Sequence, residues 1–118
     1  MNATFVQYLF KEHAHGELIE NPTKKMRVKK SLLIGAGWKP GASTDYDAVL
    51  LAKTYGAKEI LNLSNIAYVY DRDPKQFKEA RALHDIDWKS FRRDIVGATW
   101  EAGKNVPFDP PASRLAER

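Results

Sequence analysis

The 118-residue sequence contains no cysteine, which excludes disulfides and thiolate metal sites and fits a reducing compartment. It has no apolar run of about 18 residues, the length a membrane-spanning helix requires. The opening stretch MNATFVQYLFKEHAHGELIE carries its charges late and lacks a small-residue cleavage site, so it does not read as a signal peptide. Internal repeats and low-complexity tracts are absent. So are a Gly-Lys-[Ser/Thr] P-loop ending, a G-x-G-x-x-G dinucleotide fingerprint and any Ser-His-Asp or Cys-His arrangement. His13 and His15 form a His-x-His pair without a partner motif, and His84 stands near Asp85 and Asp87. Neither group reads as a metal site.

What is present suits one soluble domain with a modest core, at 43% hydrophobic and 29% charged residues. The net charge of +4 has an address, because Lys24, Lys25, Arg27, Lys29 and Lys30 all fall within seven residues. Such a stretch can meet phosphates. The plainer reading, a solvated loop or a lysine-protected strand edge, is preferred. A nucleic-acid partner is not expected, since Trp38, Tyr68 and Tyr70 are not interleaved with the basic cluster.

Asn2 is placed to cap a helix over residues 3–12, with Phe5, Tyr8 and Leu9 on one face. Gly16 and Asn21-Pro22 break that pattern. Ser31–Ile34 reads as a short strand buried on both faces, followed by a glycine-rich loop over residues 35–41. Ser43 or Thr44 then caps a helix running to Tyr55, which Gly56 stops. Residues 59–63 (EILNL) read as a second strand, so residues 31–63 make a βαβ unit with parallel strands. Residues 66–70 suit a strand or hairpin, and residues 76–83 a short helix. Asp87 caps WKSFRRDIV before Gly97, and Asp109-Pro110 opens a last helix.

Chemistry concentrates in the loop. It leads from a strand to a helix start, where free amides and the helix dipole favour an anion. Gly35, Gly37 and Gly41 allow close backbone approach or positive φ. A ligand-free glycine turn fits the spacing equally well. Asp45 and Asp47 are expected in a first helical turn for dipole reasons, yet carboxylates there can also orient cations around phosphates. Ser64, Asn65 and the nearby tyrosines offer hydrogen-bonding groups and a stacking surface. They suit a plain turn and strand just as well.

The stretch GAGWKPGASTDYDAVLLAKTYGAKEILNLSNIAYVYDRDP resembles the uridylate kinase branch of the amino-acid kinase family. The marks are Lys-Pro-Gly in a glycine loop, Ser-Thr-Asp opening a helix, and Asn-Ile-x-x-Val-Tyr-x-x-Asp-Pro further on. NVPFDPPASRLAER and NATFVQYLF are similar to that family's late Phe-Asp-Pro stretch and to its helix before the central loop. The resemblance implies ATP-dependent phosphorylation of UMP to UDP with Mg²⁺, on a three-layer α/β/α fold that is commonly hexameric. By that resemblance Ala36, Gly37, Trp38, Lys39, Pro40, Gly41, Ser43 and Thr44 line the UMP site. Asp45 is the catalytic carboxylate that orders lysine and metal, and Ser64, Asn65, Tyr70 and Asp73 hold ATP. No metal ligand is assigned within the chain. Ala67, Tyr68 and Asp47 depart from the usual pattern, where Asp, Gly and Ala stand.

The expectation is thus one partial amino-acid-kinase-like domain. Residues 1–30 form a helix and basic connection, residues 31–74 a nucleotide-binding βαβ core, and residues 75–118 a C-terminal helical part. Only two firm parallel strands are legible, fewer than a doubly wound sheet needs. The family's opening Gly-Gly-Ser loop and its lysine are missing. The chain is therefore expected to be a truncated form without turnover of its own, cytoplasmic and homo-oligomeric. The alternative is a non-catalytic nucleotide-binding or assembly module of the same fold.

Overall fold

A computed structural model describes residues 2–97, 99 and 106–118, and the chain divides into two compact units, Met1–Ile60 and Leu61–Arg118. Among the described residues, no helix is long and apolar enough to cross a membrane.

The first unit opens with helix α1, Asn2–Leu9, in which no residue is buried. It is shorter than the pattern predicts, and Asn2 lies within the helix instead of capping it. The amides of His13 and Ala14 close the following turn on the Phe10 carbonyl at 2.9 and 2.7 Å. Lys30 reaches back, its Nζ donating to the carbonyls of Lys11 and Glu12 at 3.0 and 3.2 Å. A cation is favourable beside carbonyls left open at a helix end. The rest of the basic stretch is exposed, except that Lys25 Nζ lies 5.9 Å from the centre of the Tyr55 ring.

Ser31–Ile34 does find parallel partners, but not the ones the spacing predicts. Parallel bridges join Ala14 to Leu32 and Ile19 to Gly35. The His15 amide donates to Leu32 O at 2.7 Å, and Leu32 N donates to His13 O at 3.1 Å. Further on, Ile19 N donates to Ile34 O at 2.9 Å, and Ala36 N to Ile19 O at 2.8 Å. More residues separate the bridges on the first segment than on the second, and the first segment bends at Gly16 and Glu17 between them. Ala14, Ile19, Pro22, Ile34 and Val49 are the buried apolar residues described in this unit.

Helix α2, Thr44–Tyr55, has both of its expected ends. Ser43 Oγ accepts the Tyr46 amide, and Gly56 in the left-handed region (φ 73°) donates its N–H to Ala52 O. Its C-terminal half anchors the chain before and within the basic stretch. Thr54 Oγ1 donates to Pro22 O at 2.6 Å, and Met26 N donates to the Tyr55 hydroxyl at 3.1 Å.

The expected βαβ unit is not formed among the described residues. Residues 59–63 pair with no strand, and Leu61 and Leu63 are 85% and 93% exposed. An apolar run has strand propensity, but a strand exists only where a partner takes up its amides and carbonyls. The partner available to residues 31–35 is the segment 14–19.

In the second unit, β1 (Val69–Tyr70) pairs antiparallel with β2 (Ala82–Leu83), Val69 opposite Leu83 and Tyr70 opposite Ala82. The strand-or-hairpin reading of residues 66–70 agrees with this, while the helix expected over 76–83 does not form. Two carboxylates redirect the backbone there. Asp71 Oδ1 accepts the Arg81 amide at 2.8 Å, and Asp73 Oδ1 accepts the Lys75 amide at 2.9 Å. Side-chain acceptors of this kind compete with helical hydrogen bonds and favour turns.

Asp87 caps α3, Trp88–Phe91, by accepting the Ser90 amide, which continues as a π-helical turn over Arg92–Val96. That hydrogen bond holds the Asp87 carboxyl below its ordinary pKa. Asp109 caps α4, Pro110–Ala116, accepting the Ala112 amide at 2.8 Å, and Ser113 Oγ donates to Asp109 O at 2.7 Å. Arg92 pairs with Glu117, and the Trp88 ring packs against Phe91 and Phe108 at 5.8 and 5.5 Å.

Candidate functional site

The loop of interest starts where the parallel bridge of Ile19 and Gly35 ends and finishes at the first turn of α2. It therefore leaves the tip of a strand-like segment and enters a helix N-terminus, the setting in which backbone amides and the helix dipole suit an anion. Gly35 is needed for packing, because a Cβ there would come within 3.0 Å of Leu51 Cδ1. Residues 39–42 form a turn closed by Ala42 N donating to Lys39 O at 3.1 Å. Pro40 takes the second position, and Gly41, at φ 84°, takes the third, the residue pattern of a type II turn.

The loop's amides divide into two sets. Those of Ala36, Trp38 and Ala42 are used within the protein, on Ile19 O at 2.8 Å, Asp47 Oδ2 at 3.0 Å and Lys39 O at 3.1 Å. Among the described residues, those of Gly37, Lys39 and Gly41 meet no protein acceptor. A Cβ at Gly37 or Gly41 would touch nothing within 4 Å, so open space lies over this part of the backbone. At Gly37 neither packing nor a positive φ requires glycine. Three amides of the loop are thus unspent, while the Trp38 amide is turned inward.

Asp47 does the turning. It is 5% exposed, its Oδ2 accepts the Trp38 amide, and its Oδ1 is buried with no hydrogen-bond partner among the described residues. A first-turn carboxylate gains about 0.3–1 kcal/mol from the helix dipole. A buried acceptor left unfilled costs about 1–3 kcal/mol. Sequence reasoning assigned Asp47 to the dipole or to cations and missed this contact across the loop. The available signal was its place four residues before Leu51, on the inward side of α2.

Trp38 is half-buried, and Lys39 Nζ lies 4.0 Å from the centre of its ring. Pro40, Gly41 and Thr44 are exposed, and Ala36, Ser43 and Asp45 are half-buried. The residues assigned to UMP, and Asp45, lie in one short stretch of the chain and span the loop and the first turn of α2. A metal ion fits less well: among the described residues no three His, Asp or Glu side chains converge to hold one, and Asp47 is committed to Trp38.

The residues assigned to ATP lie in the second unit. Ser64 and Asn65 are exposed, and Tyr70 is half-buried in β1. Asp73 is exposed, but its Oδ1 is engaged by the Lys75 amide and its carbonyl by the amides of Gln76 and Phe77. It builds a turn first. The Tyr68 and His84 rings meet edge to face at 4.9 Å beside the paired strands, a contact the sequence did not reveal.

The chain is 28% identical over 120 residues to the uridylate kinase of Pyrococcus abyssi, covering 99% of this chain and 53% of that protein. It is 30% identical over 121 residues to the uridylate kinase of Methanocorpusculum labreanum, covering 100% and 51%. With the uridylate kinase of Thermoplasma volcanium it shares 29% identity over 100 residues, covering 85% and 44%. The chain thus spans about half the length of the curated relatives it matches. No solved structure gives a significant match. The model of the amino acid kinase family matches residues 17–118, and the chain belongs to that family.

Proposed function

We propose that this protein serves phosphoryl transfer from ATP to UMP, giving UDP, with the loop as its UMP-binding segment. The observation that carries the reading is the set of unspent amides at Gly37, Lys39 and Gly41, on a loop that runs from a strand tip to the start of α2. Names of the relatives point to the same substrate. Ala36, Gly37, Trp38, Lys39, Pro40, Gly41, Ser43 and Thr44 line UMP in this reading. Asp45 orients cationic groups around the phosphates, and Ser64, Asn65, Tyr70 and Asp73 serve ATP. The three-layer α/β/α arrangement and homo-oligomeric assembly belong to the same proposal.

The chemistry asks little covalent work of the protein. In-line transfer of a phosphoryl group is accelerated mainly by positioning and by donors aimed at the developing charge. Each such donor is worth about 2.7–4 kcal/mol of barrier. The chain spans about half of its relatives, so the activity is proposed for a polypeptide of their length.

Calorimetric titration of UMP into the purified chain is the direct test. Binding of UMP in preference to AMP is expected, with UDP formation from ATP in a chain extended to the relatives' length. Absence of UMP binding in both forms would overturn the reading.

A further inference from the structure

We infer that Asp47 is a positioning residue of the loop, whose carboxylate turns the Trp38 amide inward and thereby fixes which amides face the phosphate-bearing substrate. The inference rests on the loop being the UMP segment, as proposed above.

Three observations carry it. The contact spans nine residues and joins α2 to the middle of the loop. Trp38 sits between Gly37 and Lys39, whose amides are unspent. Successive peptide planes share an α-carbon, so pinning one amide restricts the directions of both neighbours. Finally, Asp47 is 5% exposed with Oδ1 sealed and without a donor.

The last observation separates positioning from stability. Burying a carboxylate with one oxygen unfilled costs more than the helix dipole returns. A fold that needed only a well-packed helix start would do better with a small apolar residue at this position. The buried charge also bears on ligand placement. A phosphate is repelled by a nearby carboxylate and drawn to the outward amides of Gly37, Lys39 and Gly41.

The test uses Asp47→Ala and Asp47→Asn in the full 118-residue chain, with UMP and inorganic phosphate as titrants and amide hydrogen exchange at Trp38 as a geometric readout. Asp47→Ala should bind UMP at least tenfold more weakly and expose the Trp38 amide to exchange. Its midpoint of thermal unfolding should be unchanged or higher. Asp47→Asn keeps an oxygen for the Trp38 amide, so it should restore protection and UMP binding, and its phosphate affinity should equal or exceed wild type because the charge is gone. Wild-type affinity for UMP in Asp47→Ala would overturn the inference and leave the proposed function standing. So would a lowered unfolding midpoint in Asp47→Ala, or an Asp47→Asn chain that is folded but as weak as Asp47→Ala. Failure of UMP to bind both the wild-type chain and a chain extended to the relatives' length removes the proposed function and this inference together, and is told apart by the unaltered protein alone.

Discussion

Residues 31–34 and 59–63 are alike on paper: short apolar runs, one on each side of α2, each bounded by polar residues or glycine. In the structure they differ completely. Leu32 and Gly35 take part in parallel bridges and Ile34 is buried, whereas Leu61 and Leu63 stand in solvent without a strand partner. The difference teaches that a strand is a property of a pair of segments. Composition nominates candidates, and the backbone acceptors that another segment offers decide among them.

The comparison can be broken by mutation, and the largest effect belongs to the paired run. Ile34→Ala is expected to cost about 2–5 kcal/mol, as for buried aliphatic truncations, measured as loss of stability in urea with the first unit's helical signal as probe. Leu63→Ala, the matching change in the unpaired run, should stay within about 0.5 kcal/mol. Equal losses at the two positions would mean that residues 59–63 are packed in solution and that the contrast is false.

Between these extremes lie changes in the loop joining the paired run to α2. Gly41→Ala forces an L side chain into φ 84°, at roughly 1–2 kcal/mol, and should weaken UMP binding along with stability. Ser43→Ala removes the oxygen that accepts the Tyr46 amide, for about 1 kcal/mol, visible as a lower unfolding midpoint. The smallest effect expected is at Asp87. Its pKa is depressed in the folded chain by the Ser90 amide, so its contribution is present above the ordinary carboxylate range and fades as pH falls through the lowered value. NMR titration of the Ser90 amide should follow that loss. An amide insensitive to acid would show that the cap is not formed in solution.

What could be read from the sequence follows the range of each interaction. The caps at Ser43, Gly56, Asp87 and Asp109-Pro110 were legible because each is settled by a side chain or a φ value within a few residues. The loop's place before α2 was legible for the same reason. Pairing of residues 14–19 with 31–36 was not, since nothing local tells Ser31–Ile34 which segment will lie beside it. Residues 76–83 misled for a subtler reason. Their helical periodicity was genuine, but Asp71 and Asp73 captured the Arg81 and Lys75 amides, and the Ala82–Leu83 backbone found a partner in β1. In the candidate site, the sequence marked the glycines without telling which amides point outward. That division depends on Asp47 reaching back across nine residues.

The stacking of Lys39 on Trp38, 4.0 Å from ammonium to ring centre, gives the loop an optical reporter of its own. An ammonium over an indole alters its emission, and the same ammonium, on an exposed side chain of the loop, can pair instead with an incoming phosphate. Arrival of an anion should therefore draw the lysine off the ring and change the fluorescence. Lys39→Met would silence that signal while leaving the backbone amides in place.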